Sequence, residues 1–393
     1  MKFDSILPIS TAATTAPLSD VMPNETTAWS KLGYRPAFDG LRGIAVLAVV
    51  IYHFSKIGDW RLLPGGYVGV DVFFALSGFL ITCLLLEEWS ANGKIDFKNF
   101  YLRRACRLLP ALVVCLAFSF VLYCLADHSR WKLGLKQTAV VLLYVSNWVR
   151  AFGGRSFMGW FGHTWSLSVE EQFYLTWPII FVALLWAFRT KRQAVLWVGL
   201  LAVGVMLYRG GLAHAGWTHQ RLGNGSDTRA DALLVGCFGA FVFHTRALSP
   251  QLLKWAEKIA IVTGILLLAY CVRSLSTTDP RLYLYGMAFI SIASGLLVFS
   301  LAQSSPQSGI IRLLQLKLLV WLGRLSYAIY LWHMVFFSFA RELFPSVSLW
   351  VRAPVCMALT LVVASASYYW VEKPFLRLKK RYTPQNIEQT AKA

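Results

Sequence analysis

Apolar runs of near membrane-crossing length, separated by polar stretches, recur along almost the whole chain. Their pattern predicts helices at 41–56, 67–88, 108–126, 166–188, 194–208, 230–245, 259–272, 282–302, 325–341 and 349–372, near the roughly 20 residues that a hydrocarbon core demands. A further apolar stretch, 133–149, contains Asn147 and Trp148 and is open to three readings: a span, an interfacial helix or a re-entrant one. The expected fold class is all-α, a polytopic membrane helical bundle of about ten transmembrane helices. Residues 1–33 are polar and rich in Ser, Thr, Ala and Pro, with no basic segment leading into an apolar core. A cleaved signal peptide is therefore not expected. The division predicted is a disordered cytoplasmic tail at 1–33, a membrane domain at 34–376 and a basic cytoplasmic tail at 377–393.

Composition agrees with this reading. Of 393 residues 57% are hydrophobic and 15% charged, against about a quarter charged in ordinary globular domains; mean hydropathy is +0.54. No soluble domain is expected. The net charge of +19 would suggest nucleic acid in a soluble protein, but in a membrane chain it is read by side. Ten spans with the N-terminus inside place 23 Lys and Arg in cytoplasmic segments and 14 in outer ones; counting 133–149 as a span changes this to about 17 and 20. The positive-inside rule thus favours ten spans with both termini cytoplasmic. Nucleic acid is not an expected partner; membrane lipids are. The seven cysteines mostly fall in apolar runs without CxxC or CxxxC spacing, so packing is their expected role and neither a metal nor a disulfide framework is predicted.

Ionisable residues lie along the apolar runs. Arg42 and His53, in "FDGLRGIAVLAVVIYH", are eleven residues apart, about three turns and 16 Å along one helix face. Such groups are costly in a span and usually face a polar interior; the plainer reading makes Arg42 an interfacial anchor and His53 a packing residue. Asp71 opens the second span, His163, Glu170 and Glu171 the fourth, and Asp231 the sixth, all at the predicted depth of His53. Asp71 and Asp231 are equally read as acids favoured at helix N-termini. A histidine oriented by a carboxylate is a general-base arrangement. On the cytoplasmic side "FKNFYLRRACRLLPAL" places Arg103, Arg104 and Arg107 at the start of the third span, where either Arg103 or Arg104 shares a face with Arg107. Such a cluster suits phosphate groups, although basic residues on that side also follow from topology alone. A phosphorylated donor inside and an acceptor activated outside is one reading; a transporter with an Arg/His/acid relay is the other.

The ordered set "FDGLRGIAVLAVVIYH", "GVDVFFALSGFLI", "FYLRRACRLLP", "HTWSLSVEEQFYLTWP", "RADALLVG", "LGRLSYAIYLWH" and "YYWVEKP", from about residue 34 to 376, resembles acyltransferase family 3, bacterial integral-membrane O-acyltransferases of glycans and lipids. The resemblance implies transfer of an acetyl or other short acyl group from cytoplasmic acyl-CoA, with acetyl-CoA the expected donor, to a hydroxyl of a glycan or lipid-linked acceptor on the outer side. No permanently bound cofactor is implied. Arg42 and His53 match the family's Arg-x10-His pair, with His53 the expected base, and Glu170 is preferred over Glu171 in the acidic stretch. Arg103, Arg104, Arg107 and Gly78 are the expected acyl-CoA contacts, Gly78 being the position that would allow close approach of the acyl arm or of another helix; Asp71, His163, Glu171 and Asp231 are acceptor-side polar candidates. Trp332 and His333, late in "LSYAIYLWH", line the pore or pack. Some members append a periplasmic SGNH-type domain; this chain is expected to be a stand-alone membrane domain, with transfer completed there or by a separate periplasmic partner.

Overall fold

The computed structural model describes residues 32–57, 62–126, 129, 131–188, 190–245, 251 and 254–379. Among the described residues there is no strand. In chain order the helices are α1 (Pro36–Ile57), α2 (Val68–Asn92), α3 (Phe97–Ala126), α4 (Trp131–Leu142), α5 (Ser146–Ala151), α6 (Arg155–Met158), α7 (Trp165–Ala187), α8 (Lys191–His214), α9 (His219–Asn224), α10 (Ser226–Thr245), α11 (Ala256–Val272), α12 (Met287–Gln303), α13 (Gly309–Leu314), α14 (Lys317–Arg324), α15 (Ser326–Leu343), α16 (Leu349–Ala366) and α17 (Lys373–Lys379). A 3₁₀ turn at Gly159–Thr164 leads into α7, and π-helical turns at Leu282–Gly286 and Ser367–Glu372 lead into α12 and α17.

Helices lie over all ten predicted stretches. Among the described residues six helices are long and apolar enough to cross a membrane: Pro36–Ser55, Val68–Asn92, Phe97–Leu125, Arg192–His214, Leu282–Gln303 and Leu349–Leu378. The pair α14 and α15, bent by 69°, makes a seventh if it forms one span. Helix α7 carries Glu170 and Glu171, α10 carries Asp227, Arg229 and Asp231, and α11 has only 17 residues. The stretch 133–149 is not an eleventh span. Helix α4 has 12 residues, about 18 Å of rise against about 30 Å of hydrocarbon, and the chain then turns through Tyr144 at φ 53° into the short α5. Most of the expected tails, residues 1–31 and 380–393, lies outside the described residues. Leu32 is buried, its amide donating to Glu87 Oε1 at 2.9 Å, and residues 377–379 continue α17.

The most enclosed of these spans is α2, with 83% of its apolar window buried, against 17% for Arg192–His214 and 22% for Leu349–Leu378. The outer helices turn Leu207, Val362 and Trp370 away from the protein, a face suited to lipid. Helix α2 packs chiefly on α10, and glycines set the closeness of that contact. A Cβ at Gly78 would lie 1.9 Å from the Leu233 carbonyl oxygen, and one at Gly236 2.0 Å from that of Ala75. Small residues that let backbones touch are the usual basis of helix association in lipid. Across the same region Asp71 Oδ1 meets Arg229 Nη2 at 2.7 Å, and Asp231 Oδ2 meets Arg209 Nη1 at 2.7 Å and accepts from Ser291 Oγ at 2.8 Å. All four charged side chains are buried, so each charge is balanced by its partner and α2, α8, α10 and α12 are cross-linked.

Gly78→Ala is expected to force α2 and α10 apart and destabilise the bundle by about 1–3 kcal/mol or more, the usual scale of overpacking, seen as a lower melting temperature of the detergent-purified protein. Asp231→Asn is expected to cost about 3–5 kcal/mol by leaving Arg209 buried without its counter-ion, whereas Asp231→Leu combined with Arg209→Met recovers most of that loss. The same thermal measurement compares them.

Candidate functional site

Among the described residues, α1 contributes to two cavities in the bundle. The first, about 680 Å³, is lined by His53 and His163 together with Arg150, Arg229, Trp165 and Tyr330. The second, about 770 Å³, is lined by Arg42, Arg104, Arg107, Ser77, Glu170 and Tyr174. Val70 and Tyr330 line both, so the cavities stand back to back across a shared wall. The eleven-residue spacing of Arg42 and His53 delivers one side chain to each, about 16 Å apart along the helix.

In the arginine cavity, α3 presents Arg104 and Arg107, three residues apart and so on one face. The Arg104 guanidinium carbon lies 4.4 Å from the centroid of the Tyr174 ring, a cation–π contact that holds it over α7. Glu170 accepts hydrogen bonds from the Ser77 hydroxyl and, at 2.5 Å, from the Tyr174 hydroxyl. Arg42 Nη1 is 3.4 Å from Asp39 Oδ1. The cavity therefore combines three guanidinium groups with two carboxylates that are already engaged, Glu170 and Glu87, the latter by the Leu32 amide, and its arginine face suits an anionic group.

Several expected site residues stand elsewhere. Arg103 does not line the cavity; its Nη2 lies 3.1 Å from Glu88 Oε2, and the one-residue step from Arg104 turns it to another face of α3. Gly78 does not line it either; its hydrogen faces Leu233 of α10, the close approach of another helix that was the second reading of this glycine. Glu170 lines the arginine cavity rather than the one with His53. The seven residues from His163 to Glu170 carry it about 10 Å deeper. Glu171 lines neither cavity, and Asp71 and Asp231 are held in the buried ion pairs. Ser77 and Tyr174 were not foreseen. Their one sequence signal is position: Ser77 precedes Gly78, and Tyr174 falls one turn after Glu170.

In the histidine cavity His53 meets a second imidazole, which the sequence did not single out as its neighbour. His53 Nδ1 lies 3.1 Å from His333 Nε2, and His333 Nδ1 lies 2.7 Å from the Tyr330 carbonyl oxygen and 3.2 Å from that of Ile329. The Tyr330 hydroxyl donates to the His163 carbonyl at 2.6 Å and lies 2.5 Å from Ser166 Oγ. It thereby pins the dividing wall to the start of α7. His163 completes a row of imidazoles, its ring centroid 5.1 Å from that of His333. Arg150, from the short α5, donates from Nε to Asn224 Oδ1 at 3.0 Å and from Nη1 to the Gly162 carbonyl at 2.5 Å. Arg229 reaches the same cavity while paired with Asp71. Among the described residues no three His, Cys, Asp or Glu side chains are placed to hold a metal ion. The arrangement offers a proton acceptor flanked by fixed cations on one side of a thin wall, and an anion site on the other.

The family model described as acyltransferase domain matches residues 35–369. The peptidoglycan O-acetyltransferase OatA of Listeria monocytogenes is 36% identical over 368 residues, covering 89% of this chain and 57% of that protein. A putative O-acetyltransferase of Staphylococcus aureus is 33% identical over 384 residues, covering 92% and 61%. The putative peptidoglycan O-acetyltransferase YrhL of Bacillus subtilis is 33% identical over 353 residues, covering 87% and 55%. The chain thus spans somewhat more than half the length of these relatives. No solved structure matches it.

Proposed function

This chain belongs to the acyltransferase-domain family, and on that premise we propose that it is a membrane O-acetyltransferase. It takes an acetyl group from acetyl-CoA on the cytoplasmic side of the inner membrane. It passes that group to a hydroxyl of a glycan or lipid-linked glycan on the outer side. The observation that supports this reading is the shared wall at Val70 and Tyr330, which places an arginine-lined cavity and a histidine-lined cavity side by side.

Arg104 and Arg107 hold the phosphates of the donor, and Arg42 meets the arm that runs toward the wall. The acceptor hydroxyl enters beside His53 and His163. His53 removes its proton, the oxygen attacks the thioester carbonyl, the carbon–sulfur bond breaks, and the thiolate leaves to be protonated as the free thiol of CoA. Arg150, whose hydrogen bonds go to neutral groups, sets a positive field over the histidine cavity, where negative charge develops on the carbonyl oxygen. Two of the relatives described above are named for peptidoglycan, and a cell-wall glycan is the acceptor class assigned here by likeness to them.

Labelled acetyl-CoA supplied to the cytoplasmic face of membrane vesicles is expected to leave its acetyl group covalently on a glycan or lipid-linked glycan; coupled uptake without covalent labelling would overturn the reading in favour of transport. His53→Ala is expected to lower transfer about 10²- to 10⁴-fold, the scale of general-base catalysis, while the protein still inserts and folds. Arg104→Ala or Arg107→Ala is expected to raise the KM for acetyl-CoA about 10- to 100-fold, the worth of a hydrogen bond to a charged group. Arg103→Ala leaves that KM unchanged and lowers stability through the lost Glu88 contact, so the three variants separate donor binding from folding.

A further inference from the structure

The imidazole beside His53 carries information about which of its nitrogens does the chemistry. His333 is fully buried in α15. Its Nδ1 lies within hydrogen-bond distance of two carbonyl oxygens, those of Tyr330 and Ile329. A carbonyl oxygen only accepts, so His333 Nδ1 bears the hydrogen. A neutral imidazole carries one N–H, so His333 Nε2 accepts, and the atom that faces it, His53 Nδ1 at 3.1 Å, donates. A doubly protonated His333 would reverse that last step. It would also put a cation in a fully buried position where, among the described residues, its hydrogen bonds go to backbone carbonyls and to His53 and none to a carboxylate, and an unbalanced charge in such a place is strongly disfavoured.

We propose that His333 is the positioning residue of His53, fixing the tautomer in which Nδ1 bears the hydrogen and Nε2 is the nitrogen that takes the acceptor's proton. The proposal rests on the reading of His53 as the base. When Nε2 is protonated, the Nδ1–H of the imidazolium is donated to His333, whose own N–H is anchored on the peptide dipoles of Tyr330 and Ile329. The charge is thus spread along a short chain of hydrogen bonds. An imidazole does this without placing a permanent anion inside the bundle, so the resting pair is neutral, which suits a site among membrane-spanning helices. Because Tyr330 also fastens the dividing wall through its hydroxyl, the same residue ties the orientation of the base to the boundary that the acetyl group crosses.

Nitrogen-15 spectra of the full-length, histidine-labelled protein in nanodiscs, assigned through His53→Gln, test the tautomer directly. The expected pattern at neutral pH is a protonated Nδ1 and an unprotonated Nε2 on His53, giving way to a mixture of both tautomers in His333→Phe. An Nε2-protonated His53 in the native protein, or no change in His333→Phe, would overturn the proposal, and this readout holds whether or not transfer is detected. In the transfer assay, His333→Phe is expected to lower kcat about 10- to 100-fold, as for the loss of one hydrogen bond to a charged group, with KM for acetyl-CoA within twofold. The acidic limb of the kcat–pH profile should move to lower pH, because the protonated form of His53 has lost its acceptor. His333→Gln, whose side-chain oxygen can accept from Nδ1, should recover most of kcat and return the limb. Folded His333→Phe with native kcat and pH profile, or His333→Gln no better than His333→Phe, would refute the positioning role. Absence of any labelled product from the native protein would count against the proposed function instead, leaving the nitrogen-15 result to decide the tautomer.

Discussion

Between α2 and α10 the backbones approach until neither Gly78 nor Gly236 has room for a methyl group against the opposing carbonyl. That seating is the constraint from which the rest of the interior follows. It brings Asp71 of α2 onto Arg229 of α10 and, through Arg209 and Ser291, draws in α8 and α12. It also sets the register of α2, so that Ser77, one position from Gly78, faces Glu170 while Gly78 itself faces α10. In a bundle whose outer helices meet lipid, the apolar effect does little to bring helices together. Close packing and paired charges take over that task, and both are concentrated at the centre.

Much of the architecture was legible in the chain because membrane spans announce themselves by length and apolarity. Helices stand over each stretch so identified, and the pairing of Arg42 with His53 on one helix needed only the 3.6-residue period. The rest was hidden for identifiable reasons. The polar Asn147 left 133–149 open to three readings, and what removes the span is local: a positive φ at Tyr144 and side chains such as Gln172, whose Nε2 donates to the Tyr144 carbonyl at 2.6 Å, that satisfy the broken backbone. Arg103 and Arg104 look alike in sequence, and only the rotation of α3 against α7 decides which of them reaches the cavity. Asp71 and Arg229 are 158 residues apart, and no local pattern announces a contact of that kind.

Glu170 shows how a correct motif can be put at the wrong depth. Its place near the start of a span suggested the level of His53, yet the 3₁₀ turn at Gly159–Thr164 holds His163 at one cavity while two further turns of α7 carry Glu170 to the other. The acid thus stands among arginines and hydroxyls, and the histidine meets an imidazole of α15, on a residue that the sequence left between lining a pore and packing.

The partition at Val70 and Tyr330 has an electrical consequence. A channel of water and charged side chains open from one face of a membrane to the other would conduct ions, and each elementary charge crossing it would dissipate about 2.3 kcal/mol per 100 mV of potential. The wall at Val70 and Tyr330, its phenol held at the hydroxyl and its carbonyl accepting from His333, separates the two cavities, and on the proposed reading it leaves a short distance over which an uncharged acetyl group is handed across. On that reading, insulation of the membrane and passage of the acetyl group fall to the same few atoms.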